Sequence, residues 1–189
     1  RQPRPIINTR AIGEDPDMVG RLAAAFIRGC QENGMLATAK HFPGHGDTDQ
    51  DSHSVLPTIK ADRERLEKIE LAPYRKVIEA GVKAIMVAHL DVPALDSTPG
   101  LPSSLSPAIV TDLLRRQMGF NGLIVTDAME MAGVTNLFSN TEAALKAILA
   151  GVDMVLLPLE PAKVVPFLVY ASKSGRLPLA RLEESVRRI

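Results

Sequence analysis

The chain has one cysteine, no tryptophan and only 4% aromatic residues among its 189. A lone Cys30 excludes an intrachain disulfide framework and any multi-cysteine zinc or iron–sulfur site, and its expected role is buried packing. Net charge is missing as well, because 22 Lys and Arg balance 22 Asp and Glu. With no basic excess and no Lys/Arg run, nothing draws in a phosphate backbone or an anionic leaflet over distance, so nucleic acid is not an expected partner. No apolar run approaches the roughly 18 residues of a membrane-spanning helix, and no membrane segment is expected. Arg1 to Pro5 is basic, interrupted by proline and lacks an apolar core, which is not the pattern of a signal peptide. It leaves cytoplasm and periplasm both open and reads as a start within a protein. What the chain does have is 46% apolar residues, the composition of an ordinary globular protein.

Those apolar residues alternate between two periods. Asp15 as N-cap and Pro16 at the first helical position open a helix with Val19, Leu22, Ala23, Phe26, Ile27 and Cys30 on one stripe, ended near Gly34. Leu36 to His41 reads as a strand that feeds a long Gly/Pro/His/Asp-rich loop from Pro43 to Pro57. Leu66, Ile69, Pro73 and Val77 predict a helical segment interrupted near Pro73 and stopping near Gly81. Val82 to His89 is a second strand, and a helix starts at Ser106 and Pro107 with Ile109, Val110, Leu113 and Leu114 buried and Gly119 ending it. Leu123 to Thr126 is a third strand ending in Asp127, followed by a helix over Thr141 to Ala150 and a fourth strand over Val152 to Leu157. Helices at Ala162 to Ser174 and Leu179 to Ile189 close the chain, and Ile6 to Asn8 is a further candidate strand.

Nearly continuous apolar strands separated by helices imply a parallel sheet covered by helices, an α/β class. Several successive strands end in polar residues, namely His41, His89 and Asp127, which favours a TIM-type (β/α)8 barrel over a doubly wound sheet with one switch point. A complete barrel takes about 250 residues, so the expectation is an incomplete one, about five of eight βα units, occupying residues 1–189 as one partial catalytic domain.

The densest polar cluster is K-H-F-P-G-H-G-D-T-D-Q-D-S-H from Lys40 to His53. One reading is a metal site assembled from His41, His45, Asp47 and His53. A calcium loop is excluded: after Asp47, Asp49 and Asp51 the sixth position is Ser52 and the twelfth Thr58, where glycine and glutamate belong. Gly44 and Gly46 lack the following glycine or Lys-Ser/Thr pair of phosphate loops. A second reading is acid/base chemistry, in which the Asp51 carboxylate orients the His53 imidazole and tunes its basicity. The plainer alternative is a loop that these residues merely hydrogen-bond. Asp127 lies at the C-terminal tip of an apolar strand, where barrels keep their active sites and where aspartates also cap the next helix. Glu130 is its weaker rival.

The Lys40 to His53 stretch resembles the signature of bacterial β-N-acetylglucosaminidases of glycoside hydrolase family 3. Further matches follow in the family's order: Arg-x-x-Gly-Glu-Asp-Pro from Arg10 to Pro16, Ala88-His89, and G-F-N-G-L-I-V-T-D from Gly119 to Asp127. The resemblance implies the family's barrel and retaining hydrolysis of a terminal β-linked N-acetylglucosamine, with no cofactor and no metal. Asp127 matches the nucleophile, His53 the acid/base and Asp51 its partner, a His/Asp pair in place of the usual second carboxylate. Arg10, Lys40 and His41 match sugar-binding positions, and His89 is assigned to the pocket wall. The implied partner is a small N-acetylglucosamine-containing carbohydrate from peptidoglycan recycling or chitooligosaccharide breakdown, and few aromatics for ring stacking suit a short pocket. The histidine leaves phosphorolysis open, since it repels phosphate less than a carboxylate would. The rival expectations are a metal-dependent hydrolase using the His/Asp loop and a catalytically silent sugar-binding fragment.

Overall fold

The computed structural model describes residues 8–46, 48 and 55–189. Helix α1 (Pro16–Glu32) starts as its sequence requires: Asp15 is the N-cap, its carboxylate accepting the Met18 N–H at 2.6 Å, and Pro16 occupies the first turn, where no intrahelical donor is needed. Strand β1 (Thr38–Phe42) follows, then α2 (Arg63–Lys68) and α3 (Ala72–Glu79), with Pro73 placed in the first turn of α3 as the break between them. Strand β2 (Ala84–Val87) leads through a loop and a short 3-10 turn at Ser103–Leu105 into a π-helix, Ala108–Gln117. Strand β3 (Leu123–Thr126), α4 (Ala132–Thr135), α5 (Asn140–Ala150), α6 (Pro161–Lys173) and α7 (Leu179–Arg188) complete the order.

Among the described residues the strands form one parallel sheet, β1-β2-β3, with helices between successive strands. β2 and β3 pair in straight register from Ala84 opposite Leu123 to Val87 opposite Thr126. β1 and β2 do not: Ala39 faces Ile85 but Phe42 faces Val87, so β1 spends an extra residue over Lys40 and His41. Such a bulge re-aims side chains at the end of a strand. The Lys40–His41 and Phe42–Pro43 peptide bonds are both cis. The core beneath the sheet is built from fully buried Phe42, Ile85, Ile124, Leu113, Leu114 and Phe120, with the Phe42 ring edge-on to Tyr74 at 5.1 Å.

Three sequence expectations change here. The stripe on α1 is rotated: Gly20, Ala24 and Ile27 are buried, whereas Leu22 and Phe26 remain 49% and 71% exposed. α1 packs chiefly against α3, and Gly20 permits that approach, since a Cβ there would meet the Lys76 stem. The expected fourth strand contracts to a single parallel bridge, Val125 to Met154. Its ladder is interrupted because the Leu156 N–H is taken by the Thr126 hydroxyl at 3.0 Å and Leu157 turns to φ +43°. The candidate strand at Ile6 to Asn8 falls mostly outside the described residues, and Asn8–Arg10 is a 3-10 turn.

Candidate active site

Parallel pairing brings the C-terminal tips of all three strands to one edge. The Ala88 N–H bonds the Phe42 carbonyl and the Asp127 N–H bonds the Val87 carbonyl, each at 2.8 Å, which sets His41, His89 and Asp127 side by side. The long loop after β1 is clamped back onto this edge at its far end, where Thr58 and Asp91 form a parallel bridge.

Asp127 is held at one oxygen. Its Oδ1 accepts the N–H of Ala128 at 2.9 Å, while its Oδ2 lies 3.8 Å from His41 Nε2. His41 also faces Arg10, whose Nη2 is 3.5 Å from the same ring nitrogen, and stands edge-on to His45 with ring centroids 6.0 Å apart. Burial pushes the His41 pKa down to about 4; the Asp127 carboxylate opposes this, and the positive charges of Lys40, His45 and Arg10 reinforce it. At neutral pH His41 is therefore an uncharged ring that can accept a hydrogen bond from the guanidinium and offer one to a hydroxyl.

Beside these groups opens a cavity of about 380 Å³, lined by Arg10, Lys40, His41 and His45 together with Phe26 and Tyr74. Its floor is tight at Gly44, where φ is +144° and a Cβ would come within 2.8 Å of the Glu70 side chain.

Of the residues singled out in the sequence, the fold brings together Arg10, Lys40, His41, His45 and Asp127. Glu130 is exposed. Asp51 and His53, the expected acid/base pair, and Asp47 of the metal reading lie outside the described residues. Among the described residues no three His, Cys, Asp or Glu side chains gather to hold a metal ion.

His89 differs from its expected place in a pocket wall. It is fully buried, and both ring nitrogens are engaged inside the protein: Nε2 with the Ala128 carbonyl at 3.1 Å and Nδ1 with the Ser104 hydroxyl at 2.7 Å. Sequence reading missed Ser104 altogether. The available signal was the S-S-L-S run at 103–106 within a Pro-rich loop, whose three serines are all buried and hydrogen-bonded through their side chains.

Comparison with known proteins places this geometry in a family. The profile of the glycosyl hydrolase family 3 N terminal domain matches residues 1–189. A beta-hexosaminidase A of Pseudoalteromonas piscicida is 38% identical over 165 residues, covering 82% of this chain and 28% of that protein. The structure of a glycoside hydrolase family 3 beta-N-acetylglucosaminidase from Paenibacillus sp. str. FPU-7 superposes with a TM-score of 0.94 at 40% identity, over 98% of this chain and 36% of that one. A beta-glucoside phosphorylase, BglX, superposes with a TM-score of 0.93 at 34% identity, over 98% of this chain and 35% of that one. The chain thus spans less than half the length of these relatives while being matched along its own whole length, and it belongs to glycosyl hydrolase family 3.

Proposed function

We propose that the chain is part of the catalytic (β/α)8 barrel of an exo-acting β-N-acetylglucosaminidase, contributing about five of the eight βα units. The observation that carries this reading is the Asp127 carboxylate at a strand tip, with Oδ1 bonded to Ala128 and Oδ2 turned toward His41 beside the cavity that Arg10 and Lys40 line. The names of the similar proteins, a beta-hexosaminidase and a beta-N-acetylglucosaminidase, point to the same substrate class.

In the proposed reaction the sugar is held through its hydroxyls by Arg10, Lys40 and His41. Asp127 attacks the anomeric carbon, the glycosidic C–O bond breaks, and the leaving oxygen takes its proton from His53. His53 must be protonated at that moment, and the Asp51 carboxylate stabilises the imidazolium. The covalent glycosyl-enzyme is then resolved by water, which gives its proton back to His53 as its oxygen bonds the anomeric carbon and the Asp127 carboxylate departs. Phosphate as acceptor is a second reading, favoured by the likeness to the phosphorylase BglX. The source of substrate is proposed to be muropeptide or chitin-derived fragments.

The decisive experiment incubates the intact protein with a fluorinated N-acetylglucosamine donor that forms the glycosyl-enzyme faster than water resolves it, followed by peptide mapping. One sugar adduct on Asp127 is expected. A cooperatively folded protein that gains no adduct, or gains it elsewhere, overturns the assignment.

A further inference from the structure

The geometry points to His89 as a positioning residue for Asp127, acting through the backbone of Ala128, with Ser104 fixing the tautomer in which it acts. The inference rests on the reading of Asp127 as nucleophile.

Ala128 is held at both of its polar backbone groups. Its N–H bonds Asp127 Oδ1, and its carbonyl accepts from His89 Nε2 at 3.1 Å and from the Met131 N–H at 3.1 Å. A carbonyl only accepts, so His89 Nε2 carries the hydrogen. Nδ1 is then the acceptor, and its partner is the Ser104 hydroxyl, itself completely buried. Burial holds the His89 pKa below the usual imidazole range, in keeping with a neutral ring. The chain of contacts runs from the 3-10 turn through Ser104 and His89 to Ala128 and ends on the carboxylate of Asp127, joining the loop after β2 to the loop after β3 beyond the point where the two strands pair. Ser103 fastens the same turn to the end of β2, its hydroxyl and its N–H both bonding the Leu90 carbonyl.

Such a chain does work that a buried apolar residue would not. Without it, the Ala128 carbonyl keeps only the Met131 N–H, and a shift of Ala128 displaces the N–H that sets the carboxylate plane. Reacting atoms displaced by about 1 Å can cost 10²-fold in rate. Both ring nitrogens of His89 are already used, so the effect falls on the chemical step and not on sugar affinity.

The test compares His89→Phe and His89→Gln in the intact protein, using an aryl β-N-acetylglucosaminide and the trapping donor, with thermal melts alongside. His89→Phe keeps a planar aromatic ring, somewhat larger than imidazole, and loses both polar contacts; kcat and the trapping rate should fall about 10²-fold with KM within threefold. His89→Gln retains an N–H that can reach the Ala128 carbonyl and should recover at least tenfold of that loss. A His89→Phe protein that keeps its kcat, or one whose KM rises while kcat holds, overturns the inference. If His89→Phe does not fold, Ser104→Ala decides: the ring stays but loses its tautomer partner, and kcat should fall severalfold at constant KM, whereas an unchanged kcat overturns the inference. Asp127→Asn run in parallel separates the two readings, because retained turnover there removes Asp127 as nucleophile whatever His89 does.

Discussion

His41 Nε2 and Asp127 Oδ2 approach to 3.8 Å although β2 lies between the strands that carry them. In a sheet, strands two places apart are separated by about 9.5 Å, so both side chains must lean inward over the tip of β2. The bulge over Lys40 and His41 gives β1 the extra residue with which to do so. At the other end, the Ala128 N–H on Oδ1 leaves Oδ2 as the oxygen facing the ring. The result is a carboxylate beside a neutral imidazole, with Arg10 and Lys40 lining the adjoining cavity.

That neutral ring has a measurable consequence for stability. The His41 pKa is pushed down to about 4 in the folded protein, from an ordinary 6.5. Between those two values the unfolded chain takes up a proton that the folded one refuses, so stability falls as pH drops through the window and is fully retained above it. The slope attributable to one such group is at most about 1.4 kcal/mol per pH unit. His41→Gln should flatten the dependence of the urea midpoint on pH between 4.5 and 6.5, by roughly that amount at its steepest. Parallel curves for the variant and the parent would count against the neutral, buried ring.

If His53 donates the proton to the leaving oxygen, its removal should matter in proportion to how much that oxygen needs one. General acid catalysis contributes about 10² to 10⁴-fold. His53→Ala should lose most of this with an alkyl or sugar leaving group and little with a dinitrophenolate, which departs unprotonated. Equal losses in kcat/KM on the two substrates would remove His53 from the acid role.

The parts of this protein that were legible in its sequence are those governed by local chemistry. Asp15 and Pro16 mark the start of α1 because capping and proline geometry act within one turn, and Leu123 to Thr126 is the third strand at both ends. Asp127 stands out for the same reason, as the first polar residue after that run. What was not legible depends on which neighbour a face meets. Ile27 is buried as its spacing predicts, and Leu22 and Phe26 fit the same stripe, but the surface α1 packs on is α3, and Gly20 and Ala24 are buried in their place. Val152 to Leu157 is apolar enough for a strand, yet a hydroxyl from Thr126 takes one of its N–H groups. Ser104 carries no periodic signal at all, because its role is fixed by a histidine fifteen residues away.

The choice of acceptor is open to a direct assay. A histidine acid/base near the anomeric carbon repels incoming phosphate less than a carboxylate would. Adding inorganic phosphate to the aryl glycoside assay should produce N-acetylglucosamine 1-phosphate if phosphate competes with water at the glycosyl-enzyme. Product that remains entirely free sugar over the whole phosphate range assigns water as the acceptor.

The base of the sheet, finally, is held by a charge cluster that should be separable from the chemistry. The Asp153 carboxylate is completely buried; its Oδ2 accepts the Ile124 N–H at 3.0 Å and pairs with Arg115. Its Oδ1 accepts from the Ser185 hydroxyl at 2.8 Å and lies 3.2 Å from Arg188 and 3.5 Å from Arg181. One anion therefore ties α7 and the end of the π-helix to the start of β3. Burial already draws the Arg115 pKa down to about 10, Asp153 works against that shift, and Arg188 and Arg181 add to it. Asp153→Ala would leave three guanidinium groups facing one another without their common partner, a change expected to cost about 3 to 5 kcal/mol. Ile124 lies near the start of β3 and Asp127 just past its end, so trapping at Asp127, measured per folded molecule, should be unchanged. A loss under about 1 kcal/mol in urea unfolding would show that solvent, not Asp153, balances those arginines.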